Sequence, residues 1–204
     1  RVSNVTADVA LSRLGLRLGP ELPALDLTRL SGRLGGRRLD GGFEVSTQGL
    51  EFDTVDGLRW PGGDVRLSYA DPGGEVKARG EIRVSGIDLA TLAQLAQRLP
   101  LGRHVHEALV LYAPKGQVEQ LQARWQGPWE APDRFDARGR LRQLDVAARP
   151  QLQPLVEGVA LSGAIGSPGV RGLTVDFDLS QDGGRASVVV QQGHLELPGV
   201  FEQP

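Results

Sequence analysis

Cysteine and methionine are absent from this 204-residue chain, and aromatic residues make up only 5% of it. The missing cysteine excludes disulfide scaffolds, cysteine-ligated zinc and thiol nucleophiles. It suits an oxidising compartment, although many cytosolic proteins also lack cysteine. So few aromatics count against an outer-membrane barrel, which places aromatic girdles at both interfaces. No run approaches the roughly 18 consecutive apolar residues of a membrane-spanning helix, and no signal-peptide pattern opens the chain. A net charge of −2 leaves no overall basic field for nucleic acid or an anionic bilayer. The phosphate-binding GxxxxGK[ST], the strand-linked GxGxxG and the GxSxG nucleophile elbow are all missing. No cofactor is expected, and no enzymatic activity.

What is present is 40% hydrophobic and 24% charged residues, with 28 Gly and 13 Pro, which is a folding composition. The length fits one large or two small domains. The chain opens at Arg1 and closes at Pro204 soon after an apolar phrase, which reads as a segment of something longer. Alternation of period two dominates and marks strands with two unlike faces. The clearest case sets Val76, Ala78, Gly80, Ile82 and Val84 on one face and Glu75, Lys77, Arg79, Glu81, Arg83 and Ser85 on the other. Similar phrases include Val5 to Leu11, Leu14 to Leu18, Phe43 to Thr47, Val65 to Tyr69, Leu121 to Trp125, Phe135 to Leu141, Leu144 to Ala148, Val159 to Ile165, Leu173 to Leu179 and Ala186 to Val190.

Turn signals separate these phrases at short intervals, among them Gly41-Gly42, Asp71-Pro72-Gly73-Gly74 and Asp182-Gly183-Gly184. The spacing predicts a meander of antiparallel strands, with inward glycines such as Gly80, Gly139 and Gly163 letting the sheet bend. One interruption is helical. Asp88 is a good N-cap for a helix on which Leu89, Leu92, Ala96 and Leu99 share a face, and Pro100 stops it. A second short helix is expected from His104 to Leu111. The expected fold is therefore mainly β with a small α insert: a strongly curved antiparallel sheet forming an open apolar groove. Residues 1–86 form its first part, 87–114 the helical insert and 115–204 the rest of the same sheet. LSGRLGG at Leu30 to Gly36 and LSGAIGS at Leu161 to Ser167 hint at an internal repeat.

Candidates for chemistry are few. His104 and His106 beside Glu107 resemble a metal pair only if the segment is a strand, since positions two apart on a helix diverge; a solvated segment is the better reading. Asp176 and Asp178 face the same way, and a glycosidase pair needs carboxyls about 5 to 10 Å apart across a cleft. Charges alternating with apolar residues are more often a solvated face. Arg37-Arg38 reads as a solvated turn. Trp60, Trp125 and Trp129 offer a carbohydrate or interfacial platform, but Trp125 continues an apolar face and packing is the better reading, while Trp60 plugs a strand end.

The phrase IDLATLAQLAQRLPL at Ile87 to Leu101 is followed by LVLYAPKGQVEQLQARWQG at Leu109 to Gly127 and RFDARGRLRQLDV at Arg134 to Val146. Then come GVALSGAIG at Gly158 to Gly166 and HLELPGVF at His194 to Phe201. In this order they resemble the YhdP-type branch of the AsmA-like proteins of Gram-negative envelopes. The resemblance covers about Ile87 to Phe201. The Pro/Gln-rich stretch from Arg149 to Glu157 departs from it, where a shorter Pro-Gly link is expected.

The resemblance implies a bridge-like lipid transfer protein with an inner-membrane anchor outside this segment and a long periplasmic body whose sheet forms an apolar trough. Its role would be phospholipid transport between inner and outer membranes, with phospholipid acyl chains as cargo, other envelope proteins as partners, and no catalytic or metal residues. By position the trough lining is expected to be Val76, Ile82, Val84, Leu121, Trp125, Leu161, Ile165, Val175, Phe177, Val188 and Val190. The rival expectations are a closed β-sandwich acting as a structural spacer or protein-docking module, and a carbohydrate-binding cleft with exposed aromatics and paired acids.

Overall fold

A computed structural model describes residues 4–128, 132–148 and 169–196. Ten strands form one antiparallel sheet. They are β1 (Asn4–Leu16), β2 (Leu25–Leu39), β3 (Gly42–Thr54), β4 (Arg59–Trp60), β5 (Asp64–Ala70), β6 (Arg79–Asp88), β7 (Lys115–Gln126), β8 (Arg134–Val146), β9 (Gly169–Ser180) and β10 (Gly183–Glu196). Their order is β1-β2-β3-β5-β6-β7-β8-β9-β10, with the short β4 paired to β3. The sheet is open and does not close into a barrel. Among the described residues there is one sheet, so a sandwich of two facing sheets is not the architecture.

Alternation in the sequence becomes rows across the sheet, because directly paired residues share a face. Val5, Gly36, Val45, Leu67, Ile82, Ala123, Ala137, Leu179 and Gly184 are successive partners through nine strands. The next row on that face runs Ala7, Leu34, Thr47, Val65, Val84, Leu121, Gly139, Phe177 and Ala186. Between the two lies a polar row that faces the other way: Thr6, Gly35, Ser46, Arg66, Arg83, Gln122, Arg138, Asp178 and Arg185. At about 4.8 Å per strand, each row is roughly 38 Å long.

The alternation changes phase within several strands, from Thr47 to Leu50 in β3 and from Leu141 to Leu144 in β8. Bulges cause the change. Register slips occur opposite Gly49 and around Gln143 and Gly172, whose φ values are 52°, 50° and 68°. Two of the displaced amides are held by aspartates of the neighbouring strand: Gly49 N donates to Asp64 Oδ1 at 2.8 Å, and Gly172 N to Asp145 Oδ1 at 2.7 Å. Such bulges bend a strand and raise its twist, which gives the sheet its curvature. They also return the apolar residues to the original face, so Phe52, Leu141 and Leu144 join one cluster with Val65, Val84 and Leu121.

The insert hangs between the directly paired β6 and β7. Helix α1 (Leu89–Leu95) starts as the sequence predicts: Asp88 accepts from Thr91 N at 2.7 Å and from Thr91 Oγ1 at 2.8 Å. A 3-10 turn (Ala96–Arg98) follows, and helix α2 (Arg103–Tyr112) packs on both. Leu89 and the fully buried Leu95 close over Leu25, Leu27, Leu30, Phe52, Trp60, Ile87 and Val118 at one end of the apolar face. Trp60 stacks on Phe52 with ring centroids 5.7 Å apart, which makes it core.

Candidate functional site: the apolar sheet face

Eight of the predicted lining residues fall on the apolar face by register. Ile82, Val84, Leu121 and Trp125 lie on β6 and β7, Val175 and Phe177 on β9, and Val188 and Val190 on β10. Val76 does not. The strand begins at Arg79, and Val76 sits in the preceding bend, 58% exposed. That segment is held in another way: Lys77 Nζ reaches Asp133 at 2.8 Å, and Gly127 N donates to the Ala78 carbonyl at 2.7 Å. Two successive left-handed glycines, Gly73 and Gly74, prolong the turn and delay the strand. Leu161 and Ile165 lie outside the described residues, as do Trp129 and the second LSG phrase.

The same face carries residues that the sequence reading did not single out as lining: Val45, Leu67, Ala123, Ala137 and Leu179. Their alternation is visible in the sequence, but which strands stand beside which is not. Away from the insert this face is open. Val5, Phe43, Val45, Phe135, Leu179, Val188 and Val190 are all exposed. The two long rows contain no charged residue and one hydroxyl, Thr47, which donates no charge to the face and accepts from Val65 N at 3.2 Å. Trp125 packs its ring against Gly80 of β6, its cross-strand partner, where any Cβ would overlap the ring.

The opposite face is charged and extensively paired. Arg83 and Arg124 converge on Glu81 at 2.6 and 3.6 Å, Arg140 bridges Glu119 and Asp176, and Arg33 holds Asp8 at 2.7 Å. Burial pushes the Glu81 carboxyl up, but hydrogen bonds from Arg83 and Gln122 together with the two arginine charges bring it below its ordinary value. A cleft of about 920 Å³ lies on this polar face. Asp176 and Asp178 line it, Asp176 with its carboxylate 3.6 Å from Arg140. Arg37 is paired with Glu44 at 3.1 Å. The H-x-H segment lies on α2, a helix, and among the described residues no group of three His, Asp or Glu is placed to hold a metal. No described helix is long and apolar enough to cross a membrane.

The model of one protein family, described as YhdP protein, matches residues 1–204. The chain belongs to the YhdP family. The match extends the resemblance seen in Ile87 to Phe201 over the N-terminal β region, including the six strands before the insert. YhdP membership makes this an AsmA-like protein of the bacterial envelope. No curated protein and no solved structure matches the chain.

Proposed function

We propose that this segment is a non-enzymatic carrier of lipid: phospholipid acyl chains lie along the apolar face while headgroups remain in water. In this reading the segment is periplasmic, part of a protein anchored in the inner membrane, and the lipid passes between inner and outer membranes. One observation carries the proposal. Two rows of facing residues, about 38 Å long by strand spacing, cross nine strands without a charge, and much of that face is exposed. Each CH₂ withdrawn from water contributes about 0.8 kcal/mol, so acyl chains gain binding energy without any directional polar contact. Equivalent positions along the rows leave no deep minimum to trap a chain. A buried unpaired charge would add a barrier of several kcal/mol, and the rows hold none.

The test is a charge in the middle of the face. Ile82→Asp in the full chain should abolish lipid that co-purifies with the protein, measured by native mass spectrometry or by extraction. Gln120→Asp, an equal charge change on the polar face, should keep it. Retention of lipid by Ile82→Asp at wild-type levels sinks the proposal.

A further inference from the structure

The register sets Ser46, Arg66, Arg83, Gln122 and Arg138 side by side on β3, β5, β6, β7 and β8, and all five line the polar-face cleft. Arg66 and Arg83 are direct cross-strand partners, an arrangement in which like charges repel. Arg83 is relieved by Glu81 Oε1 at 2.6 Å. Gln122 donates to the same carboxylate at 2.6 Å and accepts from Arg138 Nε and Nη2 at 3.1 and 2.7 Å, which fixes Arg138 through an amide instead of an acid. Arg66 makes no ion pair and no side-chain hydrogen bond among the described residues. The acids nearby are engaged elsewhere: Asp64 holds Gly49 N, and Asp176 faces Arg140. Asp178 lies across from Arg138 and Arg185, at the far side of the cleft from Arg66.

Arg66 also lines a second cleft of about 290 Å³, together with Ser46, Gln48, Arg33 and Arg37. Two arginines that are direct cross-strand partners, one of them without an ion pair among the described residues, share the larger cleft with a serine hydroxyl, and guanidinium N–H groups suit an oxyanion in charge and in donor chemistry. We propose that the larger polar-face cleft binds an oxyanion, phosphate or carboxylate, between Arg66 and Arg83, with Ser46 as a further donor. The bound anion removes the Arg66–Arg83 repulsion. The sheet separates this site from the apolar face, so it does not depend on the lipid reading above.

Calorimetric titration of the full chain with inorganic pyrophosphate at low salt tests the site. Saturable binding is expected, weakened about tenfold by Arg66→Gln and less than about twofold by Arg142→Gln, an equal charge change on an arginine that Glu119 already holds. Circular dichroism confirms that both variants keep the fold. Flotation with phosphatidylglycerol vesicles, set against phosphatidylcholine vesicles, distinguishes the source of the anion. Arg66-dependent flotation assigns it to a lipid headgroup, and pyrophosphate binding without flotation assigns it to a soluble ligand. Absence of both, or equal weakening in the two variants, overturns the proposal.

Discussion

Leu95 has no solvent exposure and, with Leu89, joins α1 to the sheet cluster. Leu95→Ala should cost about 2–5 kcal/mol in urea unfolding, the range for a large core side chain cut back where its neighbours cannot collapse. The sequence put Leu89, Leu92, Ala96 and Leu99 on the inward face, and all four turn inward, Leu89 and Ala96 buried and Leu92 and Leu99 packed against the cluster; Leu95 was not singled out. The helix gives way to a 3-10 turn at Ala96, and that tightening keeps both Leu95 and Ala96 fully buried. Gly80 was legible as an inward glycine. Its reason is closer than sheet bending: the indole of Trp125 occupies the space a side chain would need. Val76 failed because periodicity alone carries a strand back through residues that the turn chemistry of Gly73 and Gly74 has already claimed.

At the level of elements, the insert is tied to the sheet by one ion pair as well as by its leucines. Arg98 of the 3-10 turn reaches Asp56 in the β3–β4 loop at 2.6 and 3.3 Å. The Arg98 hydrogen bonds, aided by the Thr54 hydroxyl, hold the Asp56 carboxyl at about 2, against 3.8 for an ordinary aspartate. A carboxyl depressed in the folded state stabilises it above the unfolded pKa, and that contribution is lost as pH falls toward the folded one. Thermal unfolding followed across about pH 4 to pH 2 should therefore show a smaller loss of Tm in Asp56→Asn than in the wild-type chain. The strands themselves were readable from alternation, as was the Asp88 cap. The bulges were not, because a phase change such as Val84 to Ile87 looks in sequence like the end of one strand. Only the pairing of Ile87 with Val118 shows that the strand continues.

For the whole molecule, an open sheet has two edges, and among the described residues β1 pairs only with β2 and β10 only with β9. Amide hydrogen exchange should be slowest in β6 and β7, where both neighbours and the insert protect the backbone. It should be fastest in β1 and β10, with every second amide of each edge strand unprotected. Uniform protection across all nine strands of the path would contradict an open sheet. The meander and its two-faced character were legible because turn residues and period-two alternation are local signals. The pocketed polar face was not, since a row such as Ser46, Arg66, Arg83, Gln122 and Arg138 draws each member from a different strand.

The strand order has one more consequence, for how the chain reaches this state. Along the path each strand joins the one made just before it, and even the helical insert only delays β7 from meeting β6. Contacts close soon after their residues exist, so loop-closure entropy is small at every step and no early strand waits for a late one. The sheet can grow in the order of synthesis, each new hairpin docking on the edge left by the last. Until the next strand arrives, that advancing edge is the most vulnerable part of the nascent protein.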